Sequence, residues 1–371
     1  MPTEAPAAAP QQFFAEGIPV EIGKIQRELK KLWQDSDQVA TRASRLNLVV
    51  YNAGEHSIRA NTELVAEIAQ QHALRAILIA AKPSVASGEP VRAWVNAHCQ
   101  ISKTGSKQRC SEQIAFQLEG GPKGFALVPN LVFSHLDSDL PLYLWWQGEF
   151  PEPAPEERLM AWVDRLLFDS ASWSNPRTQF AVLRKICTDN PRLTTALGDL
   201  NWTRLVTWRS TIGQFFDLPG RRDIAELQRL EITHAPGMRL TALLLTAWLA
   251  MRLNWNAAEK GADRFRFSGG FGGATQDIEV SLHESGSRDD AAIGSLLMRT
   301  SAGAEFRVNR QPGSDFFNTR AQLGHGERER LQVLRAGSER TADLVSEELT
   351  HNGNHRVYLG VLDVVESLLG G

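Results

Sequence analysis

The chain is 371 residues long, room for two or three ordinary domains that each bury a core. A formal net charge of −3 with no Lys/Arg block excludes the electrostatic footprint of a nucleic-acid binder, and no apolar run approaches the ~18 residues that span a bilayer. Three cysteines, an odd number in a chain of this size, point to a reduced, cytoplasmic setting rather than a disulfide framework.

Residues 1–19 are Ala/Pro-rich and lack a basic n-region or an apolar h-region, so they read as a disordered tail rather than a signal peptide. An N-terminal α/β domain is expected over residues 20–150. Ile22, Ile25, Leu29 and Leu32 recur at helical spacing, which predicts a helix over 20–35. A short apolar strand over 45–51, a helix over 57–72 and a strand over 75–81 then make a βαβ unit with parallel strands. The intervening turn, 52–56, has one glycine and no phosphate-binding fingerprint, so it reads as a plain loop.

Residues 91–118 alternate as a β-hairpin. A turn at Thr104 and Gly105 sets Val95 opposite Ile114, Ala93 opposite Phe116 and Val91 opposite Leu118, apolar against apolar. It also sets Cys99 opposite Cys110, at the separation of about 4.5–5.5 Å that a disulfide spans. Two readings follow: reduced thiols packed as small hydrophobes, which the compartment favours, or a reversible redox pair. A turn one residue later separates the two.

A short helix is expected over 127–136. Leu140 to Gln147 is too short for an isolated helix and dense in aromatics, so it reads as a strand covered on both faces. Trp145 and Trp146 then point to opposite sides, as core residues or with one indole facing a partner. The proline-rich stretch 150–157 follows and marks a domain boundary.

The second domain, 156–371, is expected to be helical over 156–260 and strand-rich over 263–371. A helix is expected over 156–167, although Leu166, Leu167 and Phe168 fit a strand over 165–169 equally well. Asn175 and Pro176 start a helix that reaches Cys187, whose thiol falls on the apolar side and reads as core. Residues 199–216 form an amphipathic helix with Trp202 and Trp208 on its apolar arc. Arg209 lies inside that arc, which implies a buried carboxylate such as Asp169 or Asp199, or a partner's anion. Gly213, beside it, admits a second backbone. A strand over 227–232, an apolar helix over 238–255 that includes Trp255, and strands over 264–268, 277–283, 293–300 and 304–310 follow. The Gly269–Gly273 run leads into a strand rather than a helix, so it reads as a hairpin loop rather than an anion site. Residues 315–326 read as loop, Ser338 as a helix cap and 358–369 as a closing helix. His351 and His355 flank a helix-breaking Asn-Gly and do not form a zinc site.

No nucleophile elbow, HExxH, CxxC or Walker pattern is present, and no catalytic, cofactor-binding or metal-ligating residue is assigned. The blocks at 42–52 (RASRLNLVVYN), 140–146 (LPLYLWW) and 201–209 (NWTRLVTWR), in this order, resemble the glucose-6-phosphate dehydrogenase assembly proteins, the OpcA family. The resemblance runs from about residue 20 to the C-terminus. It implies a non-catalytic protein, without cofactor, that binds glucose-6-phosphate dehydrogenase, promotes its active oligomer and raises its activity in the oxidative pentose phosphate pathway. Redox control, which the resemblance links to members from photosynthetic bacteria, does not carry over, because no cysteine pair lies near this C-terminus. Candidate partner-contact residues are Trp145, Trp146, Trp202, Trp208 and Arg209. The expected class is thus mixed α/β and α+β. The competing reading is a sugar-phosphate or nucleotide-binding enzyme built on the βαβ unit and the Gly269–Gly273 loop.

Overall fold

The computed structural model describes residues 16–34, 40–42, 44–54, 57–82, 91–101, 108–119, 126–151, 157–188, 195–217, 226–269, 276–287, 291–323, 329–351 and 356–370. Outside these lie most of the Ala/Pro tail, the Thr104–Gly105 turn, most of the proline-rich stretch, residues 270–273 of the glycine run, and His355. The chain divides into two compact units, Met1–Gln147 and Gly148–Gly371.

In the first unit the elements are β1 (Ile18–Val20), α1 (Ile25–Gln34), β2 (Ala40–Arg42), β3 (Asn47–Asn52), α2 (Ile58–Ala69), β4 (Arg75–Lys82), β5 (Val91–Ile101), β6 (Gln108–Glu119), α3 (Val128–His135) and β7 (Leu142–Gln147). The strands lie in the order β1-β5-β6-β4-β3-β7, with β2 also paired to β6. β3 is parallel to both β4 and β7 and is buried at every position, which is why it reads as an unbroken apolar run with no alternation. Ser57 caps α2 by accepting from the Ala60 amide.

The hairpin has the expected register: Val95 faces Ile114, Ala93 faces Phe116, Val91 faces Leu118, and Cys99 faces Cys110. Apolar pairing sets this register, since a one-residue slip would turn the buried face outward. The Cys99 and Cys110 sulfurs are bonded, across a Cα separation of 4.0 Å. The expectation of a reduced pair is thereby corrected: opposition across two antiparallel strands brings the sulfurs within bonding reach. Cys99 is exposed, so a reductant reaches the bond, and its loop of eleven residues' separation constrains the unfolded chain. Reduction is expected to lower stability by about 2–3 kcal/mol. Urea unfolding of a Cys187→Ser variant with and without reductant measures this; equal midpoints would show that the bond contributes nothing.

Glu112 sits on the same strand face and is buried, a position where sequence alone offers no partner. It accepts from Arg75 Nη1 at 2.6 Å, while Arg75 Nε donates to the His135 carbonyl at 2.6 Å.

The second unit comprises α4 (Glu157–Met160), β8 (Arg165–Phe168), α5 (Pro176–Thr188), β9 (Ala196–Asp199), α6 (Leu200–Thr203), α7 (Val206–Phe215), β10 (Leu227–His234), α8 (Arg239–Arg252), β11 (Trp255–Lys260), β12 (Arg264–Gly269), β13 (Gln276–Glu284), β14 (Ile293–Thr300), β15 (Glu305–Arg310), β16 (Phe316–Gln322), β17 (Arg330–Arg335), α9 (Thr341–Thr350) and α10 (Arg356–Leu369). An eight-stranded sheet runs β11-β12-β13-β10-β14-β15-β16-β17, and β8 pairs in parallel with β9 elsewhere in the unit. α8, apolar on all sides, is buried along nearly its whole length and packs against β10 and α10.

Several expectations are corrected here. The helix over 156–167 stops at Met160, Trp162 is 69 % exposed, and residues 165–168 take the strand alternative. The helix over 199–216 is three elements, because Asp199 ends β9 and its side chain caps α6. No atom lies within 4 Å of where a Gly213 Cβ would sit, so no backbone approaches there. Trp255 begins β11 after Asn254, which adopts a positive φ of 55° and breaks the helix. Residues 316–322 are a strand whose exposed Asn, Arg and Gln side chains alternate with buried Phe317, Thr319 and Ala321. Cys187 is exposed rather than core. Ser338 precedes the true cap of α9 and instead accepts from the Arg340 amide.

Candidate functional site

At the C-terminal ends of β8 and β9 the chain gathers the residues that sequence singled out around 199–209. Parallel pairing sets Phe168 beside Asp199. An aspartate follows β8 and another ends β9: Asp169 accepts from the Ala171 amide, and Asp199 from the Asn201 amide at 3.0 Å. Asp199 is fully buried and takes three further donors, the Ser170 amide at 3.0 Å, Ser170 Oγ at 2.7 Å and Tyr358 Oη at 2.8 Å. Burial, and then the charge of Asp169, still push its carboxyl up to about 6. The Tyr358 hydroxyl is raised as well, by burial first and by Asp199 second.

A second layer encloses this carboxylate. Asn201 donates to Ser170 Oγ at 3.1 Å and accepts from Thr241 Oγ1 at 2.7 Å. Arg204 forks onto both oxygens of Asp169, at 2.8 and 3.3 Å. Thr203 Oγ1 lies between two acceptors, the Asp199 carbonyl at 3.1 Å and Glu348, which share its one proton, and the other Glu348 oxygen accepts from Arg165 Nη1 at 3.0 Å. Gly198 is required beside this pair, since a Cβ there would lie 2.5 Å from Leu167 Cδ2 and 2.6 Å from Glu348 Oε2. Protein donors occupy these carboxylates, so the arrangement is structural and locks β8, β9, α6, α9 and α10 together.

Arg209 does not take Asp169 or Asp199, which Arg204, Ser170 and Tyr358 already occupy. Its guanidinium lies 3.5 Å from the Trp202 ring centre and donates to the Trp202 carbonyl at 2.7 Å. This cation–π seat and the nearby Glu347 and Glu348 favour its charge, while burial pulls its pKa down to about 9. Trp202 itself packs on Tyr358, and Trp208 on Phe317. In the first unit Trp146 stacks on Tyr51 at 4.1 Å. Trp145, Trp146, Trp202 and Trp208 are each 1–3 % exposed, so direct contact of these four with a partner is corrected to burial in the core. Arg209, half-buried, is the member of the set that reaches the surface.

At the ends of β3 and β7 the positions where open α/β sheets bind ligands are filled by amides. Gln147 Oε1 accepts from Asn52 and Asn61, both at 3.0 Å, and Gln147 Nε2 donates to Asn61 Oδ1 at 2.8 Å. Gly269 ends β12 with φ +145° against the Asn254 carbonyl, so its role is the close approach of two strands. Among the described residues no cluster of three or more potential metal ligands occurs, and no helix is long and apolar enough to cross a membrane.

What lies open is the outer face of the eight-stranded sheet. A broad depression there is lined by Arg229, Glu231, Arg264, Arg266, Glu279 and His283, with Arg229 paired to Glu279 and Arg266 to Glu259.

Fold and site therefore define a two-unit mixed α/β protein whose buried ionisable groups serve packing and whose open surface is a charged sheet. Two family models cover it in sequence: the N-terminal domain of the glucose-6-phosphate dehydrogenase subunit over residues 65–185, and the C-terminal domain over 195–362. The chain belongs to this family, the OpcA glucose-6-phosphate dehydrogenase assembly proteins. It is 32 % identical over 208 residues to the "Putative OxPP cycle protein OpcA" of Nostoc punctiforme, covering 54 % of this chain and 43 % of that protein. The protein of the same name from Synechococcus elongatus is 31 % identical over 196 residues, 51 % of this chain and 41 % of that protein. The matched stretch thus spans less than half the length of these relatives. Among solved structures, the apo form of levoglucosan dehydrogenase aligns over 88 % of this chain and 90 % of its own at 8 % identity and a TM-score of 0.41, too slight a likeness to carry an argument.

Proposed function

We propose that this chain is a non-catalytic, cytoplasmic assembly factor and allosteric activator of glucose-6-phosphate dehydrogenase, favouring the enzyme's active oligomer and high substrate affinity in the oxidative pentose phosphate pathway. The observation that carries the reading is the match to both domains of the subunit family, in order, over most of the chain. The inward-facing carboxylates described above agree with it. An activator works by binding the high-affinity state better than the low-affinity one, since equal binding shifts nothing. A coupling of ~1–3 kcal/mol corresponds to roughly 5–150-fold in affinity. By reciprocity, glucose 6-phosphate tightens this protein's binding to the dehydrogenase by the same factor. Calorimetry with and without substrate measures that factor; equal affinities would leave a scaffold and remove the activator.

The candidate contact residues enter this reading in two ways. Trp145, Trp146, Trp202 and Trp208 shape the contact surface from beneath, and Arg209 meets the partner directly at the rim. Arg209→Met removes the guanidinium from the Trp202 ring and carbonyl, so it is expected to weaken activation while costing the fold no more than that contact and hydrogen bond, about 1–2 kcal/mol. Cys99 and Cys110 enter as a redox pair whose reduction loosens the hairpin. Activation that is indifferent to Cys99→Ser would limit the pair to stability.

A further inference from the structure

A different surface carries an inference independent of the dehydrogenase reading. β17 is the last strand of the eight-stranded sheet, and among the described residues nothing pairs with its outer edge. Such an edge is a template for another strand unless it is blocked. Its even-numbered residues share the face toward α7: Arg330, Gln332 and Leu334 line a small cavity with Thr211, Gln214 and Phe215, with Leu334 partly covered and Arg330 and Gln332 still exposed. Its odd-numbered residues therefore lie on the open face, where Leu331 is 69 % and Val333 66 % exposed. Phe316, opposite Arg335 on β16, extends this apolar patch at 51 % exposed.

We propose that β17 is a homodimerisation edge, pairing antiparallel with β17 of a second copy about a two-fold axis at Gln332. The commitment to a second copy rests on self-complementarity. A two-fold between identical strands makes them antiparallel, and each residue must oppose one on the same sheet face. With the axis at Gln332, Leu331 opposes Val333 of the second copy, Val333 opposes its Leu331, and Glu329 opposes its Arg335. All four open-face pairs are then apolar on apolar or acid on base. Moving the axis to Leu331 sets Glu329 against Val333, and moving it to Val333 sets Leu331 against Arg335; each spoils the match. Arg335, which on an isolated edge reads as a guard against pairing, becomes an attractive partner in this register, the one of the three that matches every described open-face residue. Glu329 already holds Arg320 in its own chain, so it is positioned at the edge before the second copy arrives.

Sedimentation velocity of the full chain across a micromolar concentration series tests the proposal. The wild type is expected to pass from 41.1 kDa to twice that mass. Val333→Lys, at an exposed position, is expected to weaken dimerisation by about tenfold or more with melting unchanged. Arg335→Glu and Glu329→Arg are each expected to weaken it alone, by setting like charges opposite, and a mixture of the two variants is expected to recover it as a heterodimer. A wild type that stays monomeric throughout, or a dimer that survives Val333→Lys, would overturn the proposal. A monomeric wild type whose binding to the dehydrogenase is lost on Val333→Lys would assign the edge to that enzyme and remove the second copy.

Discussion

Glu348→Ala is expected to lower the stability of the second unit by about 3–5 kcal/mol, among the largest single-residue effects in the protein. The reason is the company it leaves. Arg165 and Glu348 are 3 % and 1 % exposed in their side chains, with Nη1 and Oε2 3.0 Å apart. Removal of the carboxylate takes the Nη1–Oε2 ion pair from a buried guanidinium, and it takes one of two acceptors from Thr203 Oγ1 as well. Arg165 Nη2 keeps the His351 carbonyl, which does not neutralise its charge. An apolar replacement of both partners behaves differently, because no buried charge remains. Arg165→Met with Glu348→Leu is expected to recover most of the loss, giving strong non-additivity in a double-mutant cycle. Equilibrium urea unfolding of the four proteins measures it. Additive losses, or a Glu348→Ala effect below about 1 kcal/mol, would show that the pair is solvated and contributes little.

Much of the scaffold was legible in the sequence because it is written locally. The hairpin follows from alternation on two strands and a turn between them, and opposite positions then brought Cys99 to Cys110. The βαβ unit follows from an apolar run, a helical period and a second run. What failed to show was whatever depends on residues far apart in sequence. Arg209 on an apolar arc demanded a partner, and a carboxylate was the obvious choice; the fold supplied the face of Trp202 instead, and gave Asp169 to Arg204. Asp199 looked like a spare carboxylate until Tyr358 arrived from the last helix. The indoles illustrate the opposite limit: aromatic density marks a buried or buriable surface and cannot separate the core from an interface. β16 was missed because Phe316 and Phe317 stand on opposite faces, which hides the alternation that follows them.

Asp199 gives the sharpest pH dependence. Its carboxyl titrates near 6 in the folded protein against 3.8 when unperturbed, so the folded state holds the proton more tightly than the unfolded one. Its contribution therefore favours folding at low pH and is lost as pH rises through the window from about 4 to 6. Two pH units correspond to about 3 kcal/mol of penalty on the ionised form at neutral pH. Carboxylates held low by hydrogen bonds, such as Glu149 on Ser174, act in the opposite sense, as do His98 and His135, whose imidazoles burial holds below their ordinary value, so the contribution of Asp199 is read from the difference between a variant and the wild type. Asp199→Asn tests it with little change of shape. Oδ1 would still accept the Ser170 and Asn201 amides, and Nδ2 would donate to the Ser170 and Tyr358 hydroxyls, which are able to accept. The stability difference between variant and wild type is then expected to move by roughly 2 kcal/mol in the variant's favour between pH 4.5 and pH 7, whatever its absolute offset. Asp199→Ala is the contrasting case, since it leaves four buried donors without their acceptor and is expected to destabilise at every pH. If Asp199→Asn instead tracks the wild type in parallel across the window, Asp199 does not titrate there, and the charge is carried by the ring of donors at no cost to the fold.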